Sequence, residues 1–426
     1  MTTLIFNPQE FHSNIAGFEP FNVATVEAEL MFNSIKQPLQ QALGRSSSLA
    51  KLPFTYTGQP ADSNGEDRNP RAALKHRDDE CEIVLKPSIL QIVAQLSSKV
   101  FTGDDLCRNA DWHRILITYT VNVYEAAQKL TRWPKFLRPV VARFIPACQT
   151  LKAQIQETEN LLLPVIKRRR AIRETEKAAG NSTSKTTDRV PNAIDWMEDG
   201  ASGRPFNPSI AHLLLSFAAI HSTADMLTQV LYDISSDPDL LTELRQEIIS
   251  VIPTHGWTRA ALYNLKLMDS VLKESQRLKP TRMISMGRLV EEPVLLHDGL
   301  AIPKGTLLMV SSHAMWDESE YTDPRRFDGH RFLRMRERDG QENDHQLVAA
   351  APNHLGFGYG KHICPGRFFA ANEVKIALCH MLLKYDFRRV GDGDGARVIN
   401  LGFNLFTNPM GKIALRRRQE EICLDV

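Results

Sequence analysis

Cysteine is scarce in this sequence, and its spacing is unlike that of a metal or disulfide framework. Six cysteines are spread over 426 residues, and none belongs to a Cys-x-x-Cys pair. A disulfide scaffold needs a higher density, so we expect free thiols in a reducing, intracellular compartment.

Segments that would target the chain to a membrane are also missing. The N-terminus has no basic region followed by an apolar core, which excludes a secretory signal peptide. The best apolar stretch, 210–220, is interrupted by His212 and is shorter than the roughly 18 residues that a spanning helix needs. We therefore expect no transmembrane segment in this chain.

The sequence has no excess of charge of either sign. It contains 52 lysines and arginines against 50 acidic residues, a net charge of +2, so nothing favours a nucleic acid partner. Hydrophobic residues make up 42% of the chain, which supplies a large core and excludes a disordered, collagen-like or coiled-coil protein.

Helical patterns dominate what is present. Apolar residues recur at helical spacing between 87 and 170. The pair Asn207-Pro208 supplies an N-cap and a first-turn proline, and it predicts a helix of about 25 residues. A second helix start is predicted at Asp237-Pro238, and another helix is expected over 265–279.

Strands are expected only late in the chain. The stretches 294–296 and 307–310 flank the turn signal Asp298-Gly299. Polar composition predicts a loop or insertion at 55–77, and low complexity predicts a flexible linker at 179–193. The expected fold class is mainly α with small β-sheets.

The most informative segment contains Cys364. Gly358 and Gly360 would let the backbone lie flat against a large planar group, where a Cβ would collide. Helical periodicity follows from Pro365 to Lys384, so Cys364 is predicted at a helix N-terminus, where the thiolate is favoured. A thiolate in such a loop is a suitable axial ligand for haem iron.

These residues alone also allow other roles for Cys364. A lone cysteine is most often a buried thiol. Zinc would find at most His362 and Cys364 as ligands, and a nucleophilic cysteine would need a histidine partner that the sequence does not place.

The stretch 357–366 resembles the haem-binding signature of cytochrome P450s, F-x-x-G-x-x-x-C-x-G. Its continuation, CPGRFFA, resembles the branch used in fungal secondary metabolism. The resemblance implies one domain over 1–426 with the cytochrome P450 fold, in which a long central helix and a C-terminal cysteine-ligand loop sandwich haem b. The implied haem-binding residues are the iron ligand Cys364, with Phe357, Gly358, Gly360, His362, Gly366 and Arg288.

The resemblance extends to a structural network and to an oxygen-binding segment. Glu274 and Arg277 match the family's E-x-x-R, and Arg331 matches the arginine that would share Glu274. Ala218 to Thr223 resembles the oxygen-binding segment of the central helix, with Ala219 in place of the usual glycine and His221 in place of the acid. The residues expected to deliver protons are Thr223, Ser222 and His221.

An apolar substrate is implied by the residues expected to face it. These residues are Ala218, Ala219, Met283, Ile284, Phe403 and Phe406. The leading expectation is a monooxygenase that hydroxylates or epoxidises a terpenoid- or polyketide-like intermediate of secondary metabolism. The alternatives are a haem-binding but catalytically impaired truncated paralogue, an isomerase or dehydratase that needs no external electrons, and, more distantly, a cysteine hydrolase without haem.

Partners and location are also implied by the resemblance. Electrons would come from NADPH through a cytochrome P450 reductase that docks on the cysteine side, where Lys361 and Arg367 add positive charge. A monomer in peripheral contact with the endoplasmic reticulum is expected. The N-terminal strands of the family's sheet are not evident, so this sheet is expected to be incomplete.

Overall fold

The computed structural model describes residues 80–178, 192–201, 206–391 and 398–424, together with the backbone of one strand at Thr3–Phe6. The loop predicted at 55–77 and residues 179–191 of the predicted linker lie outside this part of the chain. Asn192 is buried, and a helix begins at Ala193, so the last two residues of that predicted linker are ordered.

Helices make up most of the described residues. The helices are α1 (Leu85–Thr102), α2 (Ala110–Thr131), α3 (Arg138–Val141), α4 (Pro146–Ala178), α5 (Ala193–Ala201), α6 (Pro208–Ile234), α7 (Pro238–His255), α8 (Arg259–Asn264), α9 (Lys266–Leu278), α10 (Arg331–Arg336) and α11 (Arg367–Lys384).

The helix starts that were predicted from caps are confirmed. The side chain of Asn207 accepts a hydrogen bond from the backbone N–H of Ile210 at 3.0 Å, and α6 begins at the following proline. Asp237 caps α7 in the same way through the N–H of Leu240, also at 3.0 Å. A proline at the first helical position removes a donor that would otherwise be unsatisfied, so both helices begin where local chemistry favours it.

The sheets are small. Their strands are β1 (Thr3–Phe6), β2 (Cys81–Val84), β3 (Ile284–Leu289), β4 (Val294–Leu295), β5 (Ala301–Ile302), β6 (Leu307–Ser311), β7 (Tyr385–Arg389), β8 (Ile399–Leu401), β9 (Asn404–Phe406) and β10 (Lys412–Arg417). One sheet has the order β1-β6-β3, a second has the order β2-β10-β7, and two hairpins pair β4 with β5 and β8 with β9.

Two expectations about strands are wrong. Strands are not confined to the late part of the chain, because β1 pairs in parallel with β6, and β2 pairs with β10. The hairpin around Asp298-Gly299 is formed by β4 and β5, whereas β6 pairs with β3 and β1. The short apolar runs indicated strands correctly, but their partners are set by tertiary packing and not by the nearest turn.

The chain divides into two compact units, and helices α1 and α6 each contribute residues to both. The helical unit contains the described residues from 88 to 224. In it, α2 packs against α4, and the side chain of Gln154 accepts from Asn122 at 3.0 Å and donates to Thr118 at 2.7 Å. Trp112 is fully buried and donates its indole N–H to Ser98.

The mixed unit contains residues 80–87, the described residues from 225 to 424, and strand β1. Its centre is α9, of which every residue from Leu267 to Arg277 is buried. Helices α7 and α10 contact α9, and α11 is buried from Glu373 to its end. This unit therefore holds a rigid helix next to the loop that carries Cys364. The expectation of one domain over 1–426 stays a prediction.

Helix α6 is the one helix among the described residues that is long and apolar enough to cross a membrane by length and composition. A buried core helix passes the same test, and 44% of the most apolar window of α6 is buried. Contrary to the expectation from the sequence, the interruption at His212 does not keep this helix below the length and composition of a spanning helix.

Candidate functional site

Cys364 lies in a tight turn that precedes α11. Its backbone N–H donates to the carbonyl of Phe357 at 2.8 Å, and the N–H of Gly358 donates to Leu355 at 2.9 Å. Gly358 and Gly360 have φ angles of +76° and +68°, the left-handed region in which a side chain would be strained. The turn therefore depends on glycine at both positions.

The helix start does not by itself make Cys364 acidic. Partial burial raises the pKa of the thiol, against the opposing effects of the Gly366 N–H, the Arg367 charge and the Arg367 N–H. Helix α11 begins only at Arg367, so the predicted stabilisation of the thiolate is present but is outweighed by burial. A cationic partner such as a metal ion is needed to make the thiolate the stable form.

The Arg367 side chain is used inside this turn. Its guanidinium donates to the carbonyls of Cys364 at 3.0 Å and Val348 at 3.2 Å, and it lies 4.5 Å from the centre of the Phe368 ring. These contacts hold the start of α11 against the preceding loop. The expectation that Lys361 and Arg367 attract a reductase stays a prediction.

Glu274, Arg277 and Arg331 form one buried network. Arg277 makes a bidentate pair with Glu274, at 2.7 and 2.9 Å, and Arg331 donates to the same carboxylate at 3.1 Å. The side chains of Glu274 and Arg277 have no exposed surface. The remaining donors of both arginines bind backbone carbonyls between 315 and 326, so the network fixes a long irregular segment on α9.

Helix α9 also contacts the cysteine loop directly. A Cβ at Gly356 would lie 2.1 Å from the Gln276 side chain, and the ring of His354 binds the carbonyl of Lys273 at 3.3 Å. Gln276 and His354 were not singled out by the sequence analysis. Neither belongs to a recognisable motif, and the contact joins positions about 80 residues apart.

Two of the expected substrate-facing stretches lie side by side in the mixed unit. The N–H of Met283 donates to the carbonyl of Phe403 at 2.8 Å, and the N–H of Leu405 donates to Thr281 at 3.0 Å. Met283 and Ile284 are half-buried, whereas Phe403 and Phe406 are exposed. The structure thus joins the start of β3 to the β8–β9 hairpin and leaves apolar side chains accessible there.

Arg288 and His362 belong to the same unit, where Arg288 is half-buried and His362 is exposed. Arg288 lies in β3 after an irregularity in the ladder and donates to the carbonyl of Gly287. Met286, in this irregular stretch, has a φ of +53°, which is unusual for a side chain of its size. His362 is exposed in the short turn before Cys364.

The predicted oxygen-binding segment lies on α6 in the helical unit. The ring of His221 binds the carbonyl of Ile117 at 2.9 Å, and the Ser222 hydroxyl donates to the carbonyl of Ala218 at 3.0 Å. Thr223 is buried, with 2% of its surface exposed. The hydrogen bond of His221 ties α6 to α2, and the roles of these three residues in proton delivery stay predictions.

Comparison with known proteins agrees with this arrangement. The family model described as cytochrome P450 matches residues 71–410. The chain belongs to the cytochrome P450 family. Cytochrome P450 monooxygenase pyr3 of Aspergillus fumigatus is 50% identical over 98% of this chain and 77% of its own length. Cytochrome P450 monooxygenase esdpI of Penicillium shearii is 45% identical over 98% of this chain and 78% of its own length.

A solved cytochrome P450 supports the fold. The structure of the cyanobacterial CYP120A1 with bound retinoic acid has a TM-score of 0.61 and 16% identity, and it covers 92% of this chain and 78% of its own chain. The predicted fold class and the predicted family, in the branch of fungal secondary-metabolism monooxygenases, are confirmed. The enzyme is a monooxygenase, and the family implies haem with cysteine thiolate ligation and electrons from a reductase.

The residues of the turn fit such a cofactor. The backbone N–H groups of Gly366 and Arg367 lower the pKa of the Cys364 thiol against the effect of burial, which favours sulfur with negative charge. A Cβ at Gly360 would meet nothing within 4 Å, so the turn is open at that position. In the described ranges no cluster of three or more His, Cys, Asp or Glu side chains could hold a metal ion.

Proposed function

We propose that Cys364 is the axial ligand of haem b and that this monooxygenase hydroxylates or epoxidises an apolar, terpenoid- or polyketide-like intermediate of secondary metabolism. The observation that carries the proposal is the turn around the half-buried Cys364, whose backbone N–H donates to Phe357 and in which Gly358 and Gly360 have positive φ angles. When bound, the haem supplies activation of dioxygen with two external electrons.

The chain's own residues would hold this group and its substrate. Phe357, Gly358, Gly360, Gly366 and Cys364 form the turn, and α9 lies against the same loop where the Gln276 side chain meets Gly356. His362 and Arg288 are proposed as partners of the haem propionates. The half-buried Met283 and Ile284 and the exposed Phe403 and Phe406 give an apolar surface that favours a hydrocarbon-rich substrate.

The test is the carbon monoxide difference spectrum of the reduced, haem-supplemented protein. Wild type is expected to show the red-shifted Soret band of thiolate ligation, and Cys364→Ala is expected to lack it. Cys379→Ala is the matched control because Cys379 is a fully buried thiol on α11, and it should keep the band. A band that persists in Cys364→Ala, or its loss in both variants, contradicts Cys364 as the ligand.

Electron supply separates the monooxygenase from an isomerase or dehydratase. Oxidation of a terpenoid or polyketide test substrate should require both NADPH and a cytochrome P450 reductase. Turnover that continues without NADPH would instead indicate a reaction that needs no external electrons. Loss of turnover while the thiolate band persists would favour an impaired enzyme.

We further propose that peripheral membrane contact, at the endoplasmic reticulum, involves the 130–145 segment of the helical unit. Four apolar side chains are unusually exposed there: Trp133 at 45%, Phe136 at 78%, Val140 at 56% and Phe144 at 75%. The segment contains four basic residues and no acidic residue. Aromatic rings next to basic side chains favour the interface of an anionic bilayer.

A further inference from the structure

The carboxylate of Asp225 joins three distant segments of the mixed unit. The backbone N–H of Thr407 donates to its Oδ1 at 3.1 Å, the Thr407 hydroxyl donates to the same oxygen at 2.7 Å, and Lys86 forms an ion pair with it. Asp225 and Thr407 are buried, with 9% and 4% of their surface exposed. Lys86 lies in the first turn of α1, so one oxygen connects α1, α6 and the residue that follows β9.

The hairpin next to Thr407 has little support of its own. Strands β8 and β9 contain three residues each and are joined by Gly402 and Phe403. A two-stranded hairpin of this size is marginally stable in water. Its exposed apolar side chains, Ile399 at 44%, Leu401 at 60%, Phe403 at 50% and Phe406 at 37%, contribute little burial, so attachments at its base must hold it.

Those attachments lie on two sides. On one side, backbone hydrogen bonds join the hairpin to 281–283. On the other side, Thr407 binds Asp225 in α6. The first attachment consists of backbone hydrogen bonds near the hairpin tip. The second, at the C-terminal end of the hairpin, is made to a carboxylate, and such charge-assisted hydrogen bonds are the stronger type.

We propose that Asp225, with Lys86 and Thr407, is a positioning group that fixes the β8–β9 hairpin and thereby the apolar side chains that the hairpin presents to substrate. We call these three residues the Asp225 clamp. Its role in substrate selection rests on the proposed function, whereas its role in holding the hairpin does not. Asp225 itself touches neither substrate nor cofactor in this proposal.

The chain offers a matched control on the same helix. Asp233 is also buried at 7%, also accepts from a hydroxyl, that of Ser275 at 2.6 Å, and also pairs with a lysine, Lys279. These partners belong to α9 and its end and not to the hairpin. Asp233→Asn therefore reproduces the loss of a buried carboxylate in α6 without touching the clamp.

The first measurement is amide hydrogen exchange of peptides that cover 399–407, on protein with or without haem. Thr407→Val removes the hydroxyl donor and keeps the shape, and we expect hairpin exchange to accelerate about tenfold. Thr407→Ser restores the donor and should return exchange to near the wild-type rate. Asp225→Asn should resemble Thr407→Val, and Asp233→Asn should leave these peptides unchanged.

The second measurement uses the haem-loaded protein with 4-phenylimidazole and imidazole as probes, followed by the Soret shift. Thr407→Val is expected to weaken 4-phenylimidazole binding about fivefold, because the phenyl group would lose its contact with the hairpin. Imidazole has no such group, so its dissociation constant should stay within about twofold. A purely structural defect would weaken both probes together.

The outcomes separate the two proposals. Wild-type protein that takes up no haem contradicts the proposed function, while the exchange experiment still decides the clamp. Equal exchange in wild type and Thr407→Val, or equal acceleration in Asp233→Asn, overturns the clamp. If Thr407→Val accelerates hairpin exchange but leaves the ratio of the 4-phenylimidazole and imidazole dissociation constants unchanged, the role of the clamp in substrate selection is overturned.

Discussion

The carboxylate of Glu274 lies between two guanidinium groups and has no exposed surface. Glu274→Gln would leave Arg277 and Arg331 buried without a counter-charge, which typically costs about 3–5 kcal/mol of the free energy of unfolding. We expect a lower urea midpoint and loss of bound haem. The exposed ion pair of Glu80 with Arg388 supplies the control, because Glu80→Gln should hardly change the midpoint.

The buried His113 is expected to make the stability of the protein sensitive to acid. Burial lowers its pKa from 6.5 to about 4, and among the described residues its Nε2 has no hydrogen-bond partner. Between these two values the unfolded chain binds a proton that the native state does not, so stability is lost as the pH falls from about 6.5 to 4. His113→Asn removes the imidazole and keeps a polar side chain, so it should flatten the pH dependence of the urea midpoint in this window.

The exposed His297 offers the comparison for that experiment. His297→Asn removes an exposed imidazole and is the matched control for the substitution itself. If His113→Asn keeps the full wild-type slope between pH 6.5 and 4, another group causes the acid sensitivity.

At this scale the sequence predicts residues that belong to motifs and misses residues that act through packing. Glu274, Arg277 and Arg331 could be grouped from their spacing, and the structure places them together. Asp225 and Gln276 carry no motif, and their partners Thr407 and Gly356 lie 182 and about 80 residues away. Only the three-dimensional structure brings such pairs into contact.

Between elements, the cysteine loop lies close against α9. A Cβ at Gly356 would lie within 2.7 Å of three atoms of the Gln276 side chain, which is itself 8% exposed and has little room to move. Gly356→Ala should therefore destabilise the protein by about 1–3 kcal/mol and lower its haem content.

A second substitution tests the cause of that effect. Gln276→Ala removes the colliding atoms, so the double variant should recover much of the thermal midpoint and haem content that Gly356→Ala loses. A double variant whose losses are simply the sum of the single losses would show that the two positions do not interact.

Elements were predicted best where local chemistry determines them. Asn207-Pro208 and Asp237-Pro238 fix their helix starts through caps a few residues away. The strand β1 was missed because four residues without an adjacent turn signal give no local pattern, and its partner β6 begins at Leu307. The predicted pairing of β6 with the strand before Asp298-Gly299 was wrong for the same reason, since strand pairing depends on segments that are distant in sequence.

For the molecule as a whole, the net charge of +2 hides a local excess. The 130–145 segment contains Arg132, Lys135, Arg138 and Arg143 and no acidic residue. We expect the protein to bind vesicles of phosphatidylcholine with one quarter phosphatidylserine more strongly than vesicles of phosphatidylcholine alone. The difference should shrink as salt shortens the Debye length below about 8 Å.

The aromatic side chains of the segment provide the variants for this experiment. The double substitution Phe136→Ala with Phe144→Ala should weaken sedimentation with both vesicles. Phe206→Ala, at a phenylalanine of the same unit that is 38% exposed outside the segment, should not. Equal binding of the double variant and wild type would exclude this surface as the membrane contact.

The pairing of β2 with β10 has a consequence for biosynthesis. Val84 is opposite Lys412 in this ladder, so about 330 residues must be translated after β2 before its partner β10 exists. At roughly 5–20 residues per second, a ribosome needs about 15 to 65 s for that length. During this time β2 leaves the exit tunnel with an unpaired edge, and a nascent-chain chaperone that covers Cys81–Val84 would protect the chain until translation is nearly finished.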